Sequence, residues 1–183
     1  MLPTILTVEG EYFDFVAPGP GISLEAIARG LSNICRFNGQ CRTFYSVAEH
    51  SVWVSRVVPS EWALVALLHD AAEAFIGDVT KPLKNLLPDY QAIERRVECA
   101  IAAKFGLPLA MPEEVKAADR QMLWVEQRQI MNNRDGWHGT SPPVPFFNAE
   151  VCAADIELDC LTPPRAYDSF MCRAEELGLA SDA

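Results

Sequence analysis

The chain has 183 residues and a net charge of −10 at pH 7; half of its residues are hydrophobic and 22% are charged. That length suits one domain, over residues 1–183, with a substantial core, and the composition excludes a disordered chain. The acidic balance argues against a partner as large as DNA or RNA, because gripping a polyanion draws on counterion release at a basic surface; a small anionic substrate needs only a few local cations and a metal.

In chain order, the alternating apolar residues on both sides of Glu9-Gly10, over Thr4 to Val16, predict a short β-hairpin. A loop from Pro18 to Gly21 follows, and beyond it the 3.6-residue period dominates. Ser23 is the expected N-cap of a helix ending near Phe37, where Asn38-Gly39 marks a turn. Ser46 with Glu49 forms a capping-box pattern ahead of VAEHSVWVSRVV. Ser60 is the expected cap of EWALVALLHDAAEAF, which is apolar nearly all round and reads as the central buried helix. Gly77 to Pro82 interrupts the pattern. A helix from Pro88 through Lys104 ends at a C′ glycine, Gly106, and Pro112 opens the next over EEVKAADRQMLWVEQRQIM. Gly136 to Pro145 reads as a loop, and a last helix from Pro164 to Leu177 packs back on the bundle. The fold expected is all-α with a short N-terminal hairpin.

Six cysteines show no CxxC pair. Cys35 and Cys99 fall on expected helices among apolar neighbours, where a free thiol acts as a small core residue, and the pattern suits reduced thiols in the cytoplasm. The N-terminal MLPTILTVEGEYF lacks a basic n-region and a long apolar run, so no signal peptide is expected. No stretch nears the ~20 apolar residues of a membrane span.

Only three histidines occur, and two lie in expected helices near carboxylates. His69-Asp70 follows the apolar run ALVALL, and burying such a pair is costly unless both groups are paired or hold a metal. Imidazole with carboxylate suits a divalent first-row ion such as Zn²⁺, Co²⁺, Mn²⁺ or Fe²⁺. His50 and Asp119, each mid-helix among apolar neighbours, are the natural completing partners. Glu73, a helical turn after the doublet, is expected on the same face as an acid/base group, and Asp78 follows closely.

The pattern His50 … His69-Asp70 … Asp119 resembles the HD-domain phosphohydrolase superfamily, named for its His-Asp doublet. The string LLHDAAEAFIGDVTKPLK is similar to a subgroup holding bacterial 5′-deoxynucleotidases and small phage dATP triphosphohydrolases, and Arg36-Phe37 matches its Arg-aromatic pair. The resemblance spans roughly Leu24 to Met131. It implies a compact HD-domain helical bundle in which His50, His69, Asp70 and Asp119 hold one divalent metal that polarises the α-phosphate and lowers the pKa of an attacking water. It implies Glu73 as acid/base, and Asp78 as orienter of the nucleophile or holder of a Mg²⁺ that joins with a triphosphate. Arg36 would take a phosphate bidentately, Phe37 would stack on the base, Pro82 would wall the base pocket and Gly39 would leave room at the base edge. Lys81, Lys84 and Lys116 are the candidates for outer phosphates, and Lys84 with Lys116 tilts the expectation to dATP, cleaved to deoxyadenosine and triphosphate, with dADP and dAMP also accepted. The alternatives are a 5′-deoxynucleotidase for monophosphates only, or a metal-stabilised nucleotide-binding protein without catalysis. Two-metal HD enzymes need further histidines, and only His138 remains, in the Gly136–Pro145 loop. The expected setting is the cytoplasm (the host's, for a phage protein), with no membrane and no polymeric nucleic acid as partner; relatives assemble as dimers or larger rings, so a homo-oligomer, dimer or hexamer, is expected.

Overall fold

A computed structural model describes residues 2–131 and 156–179. Eight α-helices and one two-stranded antiparallel hairpin make up its regular structure, apart from short 3₁₀ turns, in agreement with the expected all-α bundle. The hairpin pairs β1 (Thr4–Leu6) with β2 (Tyr12–Asp14), and Gly10 at φ +82 turns the chain between them. Phe13 alone of these residues is fully buried, stacked on Phe75 at 4.1 Å between ring centroids, which seats the hairpin on the helices.

Helix α1 (Leu24–Asn33) begins at Ser23, whose Oγ accepts from the Ala26 amide at 2.9 Å. It stops at Asn33 rather than near Phe37, because Ile34 and Cys35 turn extended and the chain bonds to the residues that open α2: Val47 N donates to Ile34 O and Arg36 N to Tyr45 O. Helix α2 (Val47–Val57) is capped by Ser46, which accepts from the Glu49 amide at 3.1 Å. The Glu49 carboxylate does not close the expected capping box; it accepts from the amides of Cys160 (3.0 Å) and Leu161 (2.7 Å) and ties down the returning chain.

The segment expected as one central helix is interrupted. After a 3₁₀ turn at Ser60–Trp62, with no side-chain cap from Ser60, α3 spans only Ala63–Leu67 and α4 only Glu73–Ile76. Between them lie tight i→i−3 bonds: Ala71 to Leu68, Glu73 to Asp70 and Ala74 to Ala71. The cause sits at the doublet. His69 Nδ1 donates to Ala66 O at 2.7 Å, the carbonyl that an uninterrupted helix would offer to the amide of residue 70. The central helix is α2 instead, with nine of its residues buried and both core packs touching it.

A single turn, α5 (Lys81–Lys84), lies within the region expected only as a break. Helix α6 (Pro88–Phe105) ends at Gly106 in the left-handed region (φ +67), as a C′ glycine should. Pro112 is the N-cap of α7 (Glu113–Ile130), and α8 (Pro163–Glu176) packs on α1 and α2. Cys99 is exposed on α6 and Cys35, off the helix, is half-buried with its Sγ 3.5 Å from that of Cys41, so neither is the small core residue expected. The five cysteines among the described residues are free. No helix among these residues is long and apolar enough to cross a membrane. The Gly136–Pro145 loop with His138, and Cys152, lie outside the described residues.

Gly30 lets α1 lie against the start of α4. A Cβ there would sit 2.7 Å from Ala74 Cβ and 2.8 Å from both Cα and O of Ala74. Helix propensity favours alanine by about 0.8–1.0 kcal/mol, yet overpacking against backbone costs about 1–3 kcal/mol. Gly30→Ala should therefore lower the melting temperature, by roughly 2–4 °C per kcal/mol lost at this chain size, as read by thermal denaturation.

Candidate active site

Four side chains from three segments converge at α2. His50, fully buried in the middle of that helix, faces His69 from the α3–α4 break at 5.3 Å between ring centroids. Asp70 comes from the same break and Asp119 from the second turn of α7. His50 Nε2 lies 3.2 Å from Asp119 Oδ1 and 3.8 Å from Asp70 Oδ2, and His69 Nε2 lies 3.1 Å from Asp70 Oδ2.

Each imidazole is oriented from behind. His69 gives its Nδ1 proton to the Ala66 carbonyl; His50 gives its own to Glu126 Oε1 at 2.5 Å. The two Nε2 atoms thus face the carboxylates, and both are buried without a hydrogen-bond partner. Ligating atoms of His50, His69 and Asp119 fall within 4.8 Å of one another. Two imidazole nitrogens with carboxylate oxygens are a donor set for a divalent transition ion, and these residues fit one.

Above this floor opens a cleft of ≈ 480 Å³. Of the residues singled out in the sequence, Arg36, Phe37, Asp70, Glu73, Asp78, Lys81, Pro82, Lys84 and Asp119 line it, joined by Asn38, Gln40, Thr80, Leu123 and Met131, which the sequence did not flag. Arg36 opens a 3₁₀ turn (Arg36–Gly39) in which Phe37 and Asn38 adopt left-handed backbone, φ +57 and +51. Its guanidinium lies 5.3 Å from the Phe37 ring centroid and 3.7 Å, through Nη1, from Asp70 Oδ2.

Two of the substrate-contact candidates are not brought to the cleft lining. Lys116 faces outward on α7 and pairs with Glu113 at 2.7 Å. Gly39 continues the left-handed turn at φ +72, and a Cβ there meets nothing within 4 Å, so the turn rather than crowding explains the glycine. Lys84 lines the cleft with its ammonium engaged by Glu94. The largest omission is Glu126, fully buried on α7 behind both His50 and Arg36. Its signal was its position seven residues after Asp119, the same face two turns on.

The charges divide sharply. Burial opposes ionisation of Asp70 and Asp119, yet the imidazoles outweigh it and hold both carboxyls below their usual range, Asp70 well below. Glu73 meets the opposite balance: burial, then the charges of Asp70 and Asp78, push it well above the usual carboxylate value. Burial pushes Asp78 up as well, against the pull of Arg36. Burial and Arg36 favour neutral His50, but Glu126 and Asp119 outweigh them and push it up to about 9.

The family model described as 5′-deoxynucleotidase YfbR-like matches residues 39–135. The chain belongs to this YfbR-like family of the HD-domain superfamily, nucleotide phosphohydrolases that use divalent metals on small deoxynucleotides. Among its relatives, the uncharacterized protein YfdR of Escherichia coli (strain K12) is 41% identical over 157 residues, covering 85% of this chain and 84% of YfdR. The uncharacterized protein RCAP_rcc00048 of Rhodobacter capsulatus is 36% identical over 138 residues, covering 67% of this chain and 70% of that protein.

Glu73 gives a test by linkage. A carboxyl whose folded pKa is raised stabilises the fold below the unfolded pKa, and that contribution is lost as pH rises towards the folded value. At neutral pH Glu73 is thus destabilising in metal-free protein. Glu73→Gln should raise the metal-free melting temperature at pH 7, by about 2–4 °C for each kcal/mol relieved, and the gain should vanish near pH 4. A melting temperature unchanged or lowered at pH 7 would contradict this electrostatic assignment.

Proposed function

We propose that the protein hydrolyses the phosphate ester of deoxynucleotides at the α-phosphate, with deoxynucleoside 5′-monophosphates as its preferred class. The observation that carries this reading is the pairing of two buried imidazole Nε2 atoms without hydrogen-bond partners and two carboxylates with a cleft whose wall presents an arginine and a buried, high-pKa glutamate. His50, His69, Asp70 and Asp119 hold one divalent ion, which when bound supplies Lewis acidity toward a phosphoryl oxygen. Arg36 offers its planar donors to the phosphate, and Phe37 and Pro82 offer apolar surface to the base. Asp78 orients a water on the phosphorus; as the water oxygen bonds to phosphorus the P–O5′ bond breaks, Glu73 delivers the proton that the departing 5′-oxygen needs, and the proton released by the water restores Glu73. Nucleoside and inorganic phosphate leave.

The lysines support the monophosphate over the triphosphate reading. Lys116 is paired on the surface and Lys84 is engaged by Glu94, which leaves Lys81, at the rim, as the one cation of the three with no ion pair among the described residues. A triphosphate would add negative charge beside Asp70, Asp78 and Asp119 with little to offset it. The dATP reading, with Mg²⁺ at Asp78, keeps Lys81 in its favour. Action in the cytoplasm as a homo-oligomer, dimer or hexamer, belongs to the same proposal.

A panel of dNMP, dNTP and rNMP substrates, with metal content measured on the same sample, tests this. Release of inorganic phosphate from dNMPs is expected, and preference for ribonucleotides would sink the deoxynucleotide assignment. Release of triphosphate from dATP, with dAMP left intact, would overturn the monophosphate reading. Glu73→Ala should lower kcat by about 10²–10⁴-fold with the metal retained; an unaltered rate would remove Glu73 from the mechanism.

A further inference from the structure

Glu126 bridges two parts of the cleft that the chain builds from distant segments. Its side chain has no solvent exposure, so its charge is tolerable only when both oxygens are paired. Oε1 accepts the Nδ1 proton of His50 at 2.5 Å. Oε2 accepts from Arg36 Nε at 3.2 Å and also lies 3.2 Å from Nη2. On the far side of each partner is the cleft: His50 Nε2 faces Asp119 and Asp70, and Arg36 Nη1 faces Asp70.

Arg36 depends on such an anchor. It stands in a 3₁₀ turn with left-handed residues directly after it, so no long helix fixes its direction. With the Nε–Nη2 edge held by Glu126, the Nη1–Nη2 edge is the one left to meet a phosphate. The same carboxylate keeps the His50 proton on Nδ1 and so leaves Nε2 as the metal-facing nitrogen.

We infer that Glu126 is a positioning residue that sets, through one carboxylate, both the metal-facing nitrogen of His50 and the phosphate-facing edge of Arg36, so that metal affinity and phosphate affinity depend on the same buried group. The phosphate half rests on the proposed hydrolase reading; the metal half does not.

Glu126→Gln keeps the shape and breaks the bridge, because an amide can accept at one joint only and presents N–H to a donor at the other. The expected result is a Co²⁺ dissociation constant raised about 10–100-fold, together with a KM and an inorganic-phosphate inhibition constant raised about tenfold or more. Arg36→Met should weaken phosphate while keeping Co²⁺ affinity within about twofold of wild type. Metal and phosphate affinities both unchanged in Glu126→Gln would overturn the inference, as would loss of Co²⁺ in Arg36→Met as large as in Glu126→Gln. A measurement on the unmutated, Zn²⁺-loaded protein covers the case in which Glu126→Gln does not fold: ¹⁵N shifts should show His50 protonated at Nδ1 and metal-coordinated at Nε2, and coordination through Nδ1 with the proton on Nε2 would overturn the inference. Wild-type protein that binds Co²⁺ but hydrolyses no nucleotide would defeat the functional reading alone, since Co²⁺ binding and the tautomer still decide the role of Glu126 at His50.

Discussion

An imidazole that bonds a carbonyl of the preceding helical turn competes with the amide that turn would otherwise receive, and here the regular helix gives way at that point. The bond from His69 Nδ1 to Ala66 O does this at the end of α3, and much of the site follows from it. It points His69 Nε2 at the carboxylates, and it swings Asp70 to the same side as its neighbour, which two successive residues of a regular helix cannot manage. The tight coil that replaces the helix then delivers Glu73 into the cleft wall and lays Ala74 against Gly30 of α1. A backbone irregularity is thus the means by which two adjacent polar side chains meet at one point in space.

The same few residues separate two carboxyl groups by environment alone. Asp70 has His69, His50 and Arg36 about it and stays ionised far into acid, whereas Glu73, three residues on, has burial and two acidic neighbours and holds its proton. One group is suited to bind a cation and the other to hand over a proton, the division of labour that hydrolysis of a phosphate ester asks of its acids. Neither group could be exchanged for the other without moving the backbone that places them.

The meeting of His50, His69, Asp70 and Asp119 was legible in the sequence because His-Asp after an apolar run, a second helical histidine and a later helical aspartate are rare company, and Glu73, Asp78 and Arg36 stood near them. The hairpin, the N-caps at Ser23 and Ser46 and the stop at Gly106 were legible from local chemistry. The break at residues 68–72 was not, since ALVALLHDAAEAF has the composition of a good helix and only the His69 side chain ends it. The early end of α1 depends on pairing of residues 34–36 with residues 45–47, a tertiary effect that no local propensity carries. Lys116 went astray by the spacing argument itself: three residues from Asp119 is close to the same face, but Glu113, one turn earlier, claims its ammonium. Glu126 hid as one glutamate among many, because what distinguishes it is its partners, Arg36 and His50, far away in the chain.

The chain leaves α7 and returns before α8 under restraint at both ends. Gln129 holds Ile156 O at 2.6 Å and the Leu158 amide at 3.0 Å, and Glu49 holds the amides of Cys160 and Leu161, one residue from His50. The two clamps differ in what they fasten: Gln129 ties the stretch of chain from residue 156 to the end of α7, and Glu49 ties the next few residues to the first turn of α2, so the chain entering α8 is registered against both helices that carry His50 and Asp119 before α8 begins.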